Sequence, residues 1–278
     1  MTVLRLCHNS RMDTIANSWA TPAPIKAAFF DIDGTLAHLG LLDLLPSSVQ
    51  ALEELRARGV KCFVASGRCP LDLGGFPLDL FDGTSFFNGQ RCTVGETVVR
   101  DLHFSPESLE ALYAFARTTE RTLLIQGTER VFSVHRSPSF YYVFAPAEER
   151  FPLCDPSAIF EGNIYQASVE CMPEEEAALA AQLPGCDLAR WAPTFADIIP
   201  IGGGKGSGAR AMLDYLGIST DEAVAFGDSE NDIALFKACG TSVAVGAATE
   251  AAKAAATYVT DDIDDGGLYR ACVRLGLL

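Results

Sequence analysis

From residue 25 onward, short apolar runs alternate with amphipathic segments, and this alternation limits the choice of fold more than any other feature of the chain. Residues 25–30 and 60–65 are apolar runs with the length of a buried strand, and residues 47–58 between them carry apolar side chains at helical spacing. The same order of strand and helix returns over residues 205–260. Short connections between alternating strands and helices are typical of a parallel, doubly wound sheet, in which ligands bind at the carboxyl ends of the strands.

Residues 91–194 interrupt this alternation. The apolar patterns there predict strands at residues 97–102, 122–126, 131–135, 141–144 and 165–169, and helices at residues 106–119 and 173–183. Neighbouring strands mixed with helices indicate a separate α+β unit inserted into the first one. The predicted fold class is therefore α/β, with a doubly wound, Rossmann-like parallel-sheet core and an inserted α+β cap domain that is well placed to act as a lid.

The composition argues against several classes of function. The formal net charge is −15, whereas a protein that binds nucleic acid needs clustered Lys and Arg, so we expect no nucleic-acid partner. No apolar run approaches the length of a membrane span, and residues 1–24 lack the continuous apolar region of a signal peptide. The nine cysteines are scattered without a C-x-x-C pair, which is typical of free thiols in a reducing compartment. We therefore expect a cytoplasmic protein that binds no membrane, and its oligomeric state stays open.

Two aspartates follow the first predicted strand, in the sequence Asp31-Ile32-Asp33-Gly34-Thr35. A phosphate ester is slow to hydrolyse because its negative charge repels a nucleophile, so catalysis requires charge neutralisation, in-line positioning and a nucleophile. Asp31 can supply the nucleophile and form an aspartyl-phosphate that water then cleaves. Asp33 can protonate the leaving oxygen and then activate the water.

A second acidic cluster, Gly-Asp-Ser-Glu-Asn-Asp at residues 227–232, follows another predicted strand. Mg²⁺ prefers a few oxygen ligands and retains several waters, which suits carboxylates from separate strand ends. We expect Asp31 and Asp228 to bind Mg²⁺ through their side chains, and Asp33 to bind it through its backbone carbonyl. Asp232 is expected to orient metal-bound water. Mg²⁺ is thus the predicted cofactor.

Lys205 stands in a glycine-rich run at the predicted start of a helix. A cation there can pair with phosphoryl oxygens and with Asp31, helped by the helix dipole. The run lacks the P-loop spacing, because Gly206 follows the lysine. Ser66, at the end of the second predicted strand, offers a hydroxyl to the same anion, and Arg68 fits either a local salt bridge or a contact with substrate. The joint occurrence of these elements at strand ends and helix starts favours one shared site over unrelated turns and linkers.

In this combination the motifs resemble those of the haloacid dehalogenase superfamily of phosphohydrolases. Residues 31–36 resemble its first motif, residues 66–68 its second, Lys205 its third and residues 227–232 its fourth. The G-D-S-x-N-D form, together with the long insertion between the second and third motifs, resembles the Cof-type branch with a type IIB α/β cap. The segment Phe87-Asn88-Gly89 is similar to the point where that cap begins, and residues 195–200 are similar to the strand where the chain returns.

The resemblance implies domain boundaries. They are an N-terminal extension over residues 1–24, a Rossmann-like catalytic core over residues 25–89 and 195–278, and a cap that sets substrate specificity over residues 90–194. Two segments depart from the family pattern: residues 37–40 are not the usual polar flap, and residues 1–24 have no counterpart. Both can alter access of the substrate, whereas neither contains a proposed catalytic atom.

The resemblance also implies a Mg²⁺-dependent phosphatase whose partner is a small phosphorylated metabolite, typically a sugar phosphate. The expected catalytic residues are Asp31, Asp33 and Lys205; the phosphate-binding residues are Ser66, Gly67, Arg68 and Asn231; and the metal-site residues are Asp31, Asp33, Asp228 and Asp232. Two alternatives stay open. One is a sugar phosphomutase that uses the same aspartyl-phosphate chemistry, and the other is a non-catalytic binding or regulatory protein on the same scaffold.

The identity of the substrate depends on the cap, where the sequence gives little guidance. The polar or aromatic cap residues that could face the site are Arg91, Arg136, Tyr141, Tyr142, Gln166 and Glu170, although ordinary packing or surface exposure explains each of them well. His38 follows the nucleophile loop closely and either lies on the surface or approaches the site.

Overall fold

The computed structural model describes residues 19–144 and 149–278, so most of the predicted N-terminal extension lies outside the described residues. The strands are β1 (Ala27–Phe30), β2 (Lys61–Ala65), β3 (Gly83–Phe86), β4 (Arg91–Val94), β5 (Thr97–Asp101), β6 (Leu123–Gly127), β7 (Val131–His135), β8 (Ile164–Glu170), β9 (Cys186–Ala192), β10 (Phe195–Pro200), β11 (Ala223–Gly227), β12 (Thr241–Ala244) and β13 (Tyr258–Val259). The helices are α1 (Pro46–Ala57), α2 (Pro106–Ala116), α3 (Pro138–Phe144), α4 (Glu176–Ala180), α5 (Lys205–Leu216), α6 (Ile233–Phe236), α7 (Glu250–Ala255) and α8 (Gly267–Arg274). None of the helices in this part of the chain has the length and apolarity needed to cross a membrane.

The larger sheet, here called the core sheet, has eight strands in the order β13-β12-β11-β1-β2-β3-β4-β5. The strands from β13 to β3 are parallel, and β4 and β5 add an antiparallel hairpin at one edge. The central strand β1 is buried on both faces, because Ala28 and Phe30 pack into one apolar cluster while Ala27 and Phe29 pack into another. Burial on both faces explains why this strand has a continuous apolar sequence instead of an alternating one.

The smaller sheet, here called the cap sheet, has five antiparallel strands in the order β7-β6-β8-β10-β9. Its two faces differ. One face is apolar and packs against α2 and α4, where Ile125 of the sheet joins Leu112 and Leu179 in one cluster. The other face carries buried polar side chains, including Gln166 and Asp197. The two sheets confirm the predicted fold class, a Rossmann-like parallel core with a separate α+β cap.

Sheet membership divides the chain at residues that differ from the predicted domain boundaries. The hairpin β4–β5 continues the core sheet beyond residue 90, because β4 pairs with β3 directly after a tight connection. Strand β10, predicted as the first strand of the returning core, pairs with β8 and β9 in the cap sheet. We therefore propose that the cap begins near residue 102 and ends near residue 200.

Two local predictions need correction, and some strands were missed. Residues 141–144 were expected to form a strand, but they belong to α3, where Pro138 in the first turn favours a helix despite the aromatic, strand-prone sequence that follows. The helix expected over residues 173–183 is shorter, since a 3₁₀ turn at Pro173–Glu175 leads into α4, which ends at Ala180. Strands β3, β4 and β9 were not predicted, because their short sequences contain few consecutive apolar residues.

Candidate active site

Three neighbouring parallel strands end at the same edge of the core sheet. Strand β1 lies between β2 and β11. Asp31 follows β1, Ser66 follows β2 and Asp228 follows β11. Because adjacent parallel strands end side by side, residues that are distant in the sequence become neighbours here. The structure thus brings together the first, second and fourth motifs that the sequence analysis singled out.

Lys205, the residue of the third motif, lies at the same edge of the core sheet. Its Nζ atom lies 2.6 Å from Oδ1 of Asp31 and 2.6 Å from Oδ1 of Asp232, and only 1% of the lysine is exposed. Burial lowers the pKa of Lys205, but the charges of Asp232 and Asp31 outweigh that effect and raise the pKa overall. The lysine is therefore a fixed, buried positive charge between two carboxylates.

Two glycines after Lys205 explain why the run at the start of α5 is rich in glycine. A Cβ atom on Gly206 would lie 2.2 Å from the backbone oxygen of Ala234, and one on Gly208 would lie 2.7 Å from the Cα atom of Gly89. No side chain fits at such distances. Packing therefore requires glycine at these two positions. It allows the first turn of α5 to lie close enough to its neighbours for Lys205 to reach the strand ends.

Three carboxylates form a cluster that could hold a metal ion. Asp31, Asp228 and Asp232 each offer an oxygen atom, and these atoms all lie within 4.8 Å of one another. Burial raises the pKa of Asp228 to about 9, helped by the charges of Asp31 and Asp232 and opposed by Lys205. Burial also raises the pKa of Asp31 to about 7, with Lys205 opposing it. One lysine therefore does not neutralise the cluster, and a divalent cation with oxygen ligands fits this donor set.

Asp232 has a different environment from the other two carboxylates. Its Oδ2 atom accepts hydrogen bonds from the backbone N–H groups of Asp228 and Ser229, at 3.0 and 3.1 Å. Its Oδ1 atom is already bound to Lys205. Because both oxygens have protein donors, Asp232 shapes the loop that carries Asp228.

Asp33 is paired with Arg68 in the second motif. The guanidinium donates from Nε to Oδ2 and from Nη2 to Oδ1, both at 2.7 Å, and the backbone N–H of Gly40 donates to Oδ1 at 2.8 Å. Of the two alternatives left open for Arg68, the structure contains the local salt bridge. A bidentate pair of this kind fixes the orientation of the carboxyl group. Residues 37–40, the unusual flap, therefore help to position Asp33.

The remaining phosphate-binding candidates lie near the site but already have protein partners. The buried hydroxyl of Ser66 accepts a hydrogen bond from the backbone N–H of Arg68 at 3.1 Å. The carbonyl of Gly67 accepts one from Gln166 of the cap sheet at 3.0 Å. The side chain of Asn231 donates to Asn88 at 3.1 Å.

Among the cap candidates, Gln166 contacts the second motif through its hydrogen bond to the carbonyl of Gly67. Arg91 instead pairs with Asp101 at 2.8 Å, and Glu170 accepts a hydrogen bond from Ser137 at 2.5 Å. Arg136 donates to Ser133 and to the carbonyl of Phe151 within the cap. Tyr141 is about half exposed, while the side chain of Tyr142 lies outside the described residues.

His38 lies on the surface, where its ring is 3.2 Å from Asp264.

Sequence reasoning missed a set of buried polar residues beside the site. The sequence places Asn88 only in the segment that resembles the start of the cap. It assigns no role to Asp197, although a lone carboxylate inside the apolar strand β10 is a signal for a buried polar site. Burial raises the pKa of Asp197 to about 7, even though Ser168, Asn88 and Trp191 all donate hydrogen bonds to it.

A cleft of about 570 Å³ opens between the cap sheet and the core. Lys205 and Asn231 line it from the core, and Asp187 and Ala189 of β9 line it from the cap. Sites for small molecules typically have volumes of this size. The cleft is therefore large enough for a small metabolite next to the lysine.

Comparison with known proteins gives a consistent result. The model of the haloacid dehalogenase-like hydrolase family matches residues 28–272. Among solved structures, the HAD subclass IIB sugar phosphatase BT4131 is similar with a TM-score of 0.83 and 30% identity, covering 91% of this chain and 100% of that one.

Two curated relatives are similar over most of their length. The protein YkrA of Bacillus subtilis (strain 168) is 30% identical over 257 residues, covering 91% of this chain and 98% of the relative. The HMP-PP phosphatase of Klebsiella pneumoniae (strain 342) is 27% identical over 246 residues, covering 82% of this chain and 87% of the relative.

Proposed function

Since the chain belongs to the haloacid dehalogenase-like hydrolases and is a phosphatase, we propose that it hydrolyses a small phosphorylated metabolite with Mg²⁺ and an aspartyl-phosphate on Asp31. The observation that carries this proposal is the bond between Lys205 and Asp31 inside the cluster of buried carboxylates. A carboxylate at a strand end, next to a fixed cation, combines a nucleophile with the charge neutralisation that phosphoryl transfer requires.

In the proposed first step, an oxygen of Asp31 forms a bond to phosphorus while the bond between phosphorus and the leaving oxygen breaks. Lys205 and the first turn of α5 offset the negative charge of the transferring group. Mg²⁺ held by Asp31, Asp228 and the backbone carbonyl of Asp33 would neutralise charge on the phosphoryl oxygens. Asp232 supports this arrangement through the loop that it shapes.

Asp33 is the proposed acid and base. It gives a proton to the leaving oxygen and then takes a proton from the water that attacks phosphorus, which releases inorganic phosphate and restores Asp31. Arg68 holds the Asp33 carboxyl group in place with two hydrogen bonds. We propose that Arg68 transfers these hydrogen bonds to the phosphoryl oxygens when substrate binds, and that Asp33 then takes up a proton from solvent, which it passes to the leaving oxygen. Ser66, Gly67 and Asn231 complete the proposed phosphate site.

A sugar phosphate is the proposed substrate class. Support comes from the likeness to a sugar phosphatase and from the size of the cleft between cap and core. Three carboxylates line that cleft, Glu176, Asp187 and Glu230, against the two cations Arg190 and Lys205, so the lining favours a neutral polyol over a leaving group with further phosphates. A single phosphate, bound at Lys205, satisfies this arrangement.

The test is release of inorganic phosphate from a panel of sugar phosphates, nucleotides and other small esters, with Mg²⁺ or with EDTA. Asp31→Asn is the variant that removes the nucleophile, and Asp79→Asn is the matched control, because Asp79 is exposed and belongs to none of the motifs. We expect Mg²⁺-dependent turnover that Asp31→Asn abolishes and Asp79→Asn retains. If the protein instead isomerises a sugar phosphate and requires a bisphosphate activator to do so, it is a mutase and not a phosphatase. Absence of both activities would leave a binding protein.

A further inference from the structure

Asn88 lies where the core sheet, the cap sheet and the acidic loop of residues 227–232 meet. Its side chain is fully buried. The Nδ2 atom donates to Oε1 of Gln166 and to Oδ2 of Asp197, both at 2.8 Å, and these acceptors belong to β8 and β10 of the cap. The Oδ1 atom accepts a hydrogen bond from Nδ2 of Asn231 at 3.1 Å. One amide group therefore connects two cap strands to the acidic loop.

The orientation of this amide is fixed by its partners. Both N–H groups face oxygen acceptors, one of which is the carboxylate of Asp197, and the carbonyl oxygen faces a donor. A reversed amide would bring its carbonyl oxygen against that carboxylate. The group also packs against the second motif, because a Cβ atom on Gly67 would lie 3.2 Å from Nδ2 of Asn88. No other side chain of similar size offers two donors and an acceptor in this arrangement.

The backbone at this point is unusual as well. Among the described residues, Phe87 and Asn88 are the two that adopt a positive φ without being glycine, at 51° and 54°. An aromatic residue in the left-handed region is an outlier, and such conformations concentrate at functional sites. The turn places the ring of Phe87 against Tyr165 of the cap, with centroids 5.0 Å apart, while it directs Asn88 towards Asn231.

Asn231 in turn belongs to the loop that holds the metal-site carboxylates. Its Oδ1 atom accepts a hydrogen bond from Ser229 at 2.8 Å, so both ends of its side chain are held. The acceptors that fix Asn88 lie on the cap and leave with it if the cap moves away. Without the cap, the Asn88 amide would keep one of its three described partners, Asn231.

We propose, on the basis of the proposed function, that Asn88 is a positioning residue that fixes Asn231 and the acidic loop only while the cap sheet is docked on the core. Asn88 lines the cleft, but the described partners of its amide are Gln166, Asp197 and Asn231, and Asp31 is not among them. The amide acts through Asn231, so that the loop bearing Asp228 reaches its working geometry when the cap covers the substrate.

The primary test is a double-mutant cycle of Asn88→Gly and Asn231→Ala. Glycine tolerates the left-handed backbone, and the substitution removes the whole side chain, which is the amide and one methylene group. With an ester that the wild type hydrolyses, we expect Asn88→Gly to lower kcat about tenfold, which is typical of coupled neighbouring residues, and to leave KM within about threefold. In the Asn231→Ala background the same change should alter kcat less than about twofold, because its target is already gone. Tyr165→Phe is the matched control, since it removes a different hydrogen bond between cap and core.

A second measurement does not depend on turnover. Calorimetric titration of each variant with Mg²⁺ alone should show weaker binding in Asn88→Gly and in Asn231→Ala, without a further loss in the double variant. If the wild type hydrolyses no ester, the proposed function fails while this titration still tests the role of Asn88. If Asn88→Gly melts below the assay temperature, Gln166→Leu removes one acceptor on the cap and should give a smaller loss in the same direction. The proposal is overturned if Asn88→Gly keeps the wild-type kcat and Mg²⁺ affinity. It is also overturned if the effects of the two single substitutions multiply in the double variant.

Discussion

The core sheet and the cap sheet bury polar side chains in different ways. In the core sheet the buried charges lie beyond the carboxyl ends of the strands, as Asp31 and Asp232 do on either side of Lys205, while the polar residues buried within its strands, such as Ser85 and Ser242, are neutral. In the cap sheet the buried polar side chains run along one face and are mostly neutral, as in the hydrogen bond from Gln126 to Ser168 at 2.9 Å. The comparison indicates a division of labour, in which the core supplies charge for chemistry and the cap supplies hydrogen bonds that fix geometry.

This difference has an energetic consequence. A buried charge that loses its partner keeps its desolvation cost, which makes the loss larger than for a neutral group that loses a hydrogen bond. Substitutions at the core edge should therefore be more damaging than substitutions on the polar face of the cap sheet. The predictions below test that order.

Replacing Lys205 should have the largest effect. Lys205→Met leaves two buried carboxylates without their cation, which costs about 3–5 kcal/mol of stability. We expect it also to lower kcat about 10²- to 10³-fold, as removal of a fixed electrostatic group in an active site typically does. Thermal unfolding in EDTA, together with turnover in Mg²⁺, measures both quantities.

The control is Lys253→Met, because Lys253 lies in an exposed i,i+3 pair with Glu250. Such pairs contribute a few tenths of a kcal/mol, so its melting temperature and kcat should stay close to the wild type. Equal damage from the two lysine substitutions would remove the distinction between the charged core edge and an ordinary surface.

Gly206→Ala should have the next largest effect. It changes the packing at the core edge and leaves the charges there unchanged. The new methyl group meets the backbone oxygen of Ala234, so α5 and α6 must move apart at a cost of about 1–3 kcal/mol. Differential scanning calorimetry measures the shift. Gly74→Ala is the matched control, because nothing lies within 4 Å of a Cβ atom at that position. A melting temperature as high for Gly206→Ala as for Gly74→Ala would mean that the close approach of the two helices is not required.

The same contrast explains what the sequence could reveal. Asp31 and Lys205 stand at strand and helix ends within distinctive local motifs, so their meeting in space follows from the doubly wound order. Asn88 and Asp197 are distant in the sequence and meet through the pairing of β8 with β10 and the docking of the cap. No local pattern encodes such a contact. The strand predicted over residues 141–144 was wrong for a related reason. Whether aromatic side chains favour a strand or a helix depends on the packing around them.

Asp197 provides a test of the polar face of the cap sheet through pH. Burial raises the pKa of its carboxyl to about 7 from an ordinary value of 3.8, so between these values the unfolded chain loses a proton that the folded protein keeps. The contribution of this group to stability is complete below pH 3.8 and is lost as the pH rises towards 7. From pH 5 to pH 8 the wild type should therefore lose up to about 3 kcal/mol relative to Asp197→Asn.

Thermal unfolding of both proteins across this range gives the difference. Because the carboxyl is buried, its pH dependence should be the same in 0.1 M and 0.5 M salt, whereas exposed charges are screened. The raised pKa of Asp197 is contradicted if the difference in stability between the wild type and Asp197→Asn is constant with pH. It is also contradicted if the wild type becomes more stable relative to Asp197→Asn as the pH rises.

Tyr165→Phe should have the smallest effect and shows what holds the cap on the core. Tyr165 is a cap residue whose ring is buried in an apolar cluster of the core and stacks on Phe87. Its hydroxyl donates to Asp101 at 2.7 Å, but Asp101 keeps its ion pair with Arg91 when the hydroxyl is removed. The net loss should therefore stay below about 1 kcal/mol, with kcat unchanged, as thermal unfolding and steady-state kinetics would measure. A loss of kcat as large as that of Asn88→Gly would mean that the hydroxyl, and not only the Asn88 amide, carries the coupling between cap docking and the acidic loop.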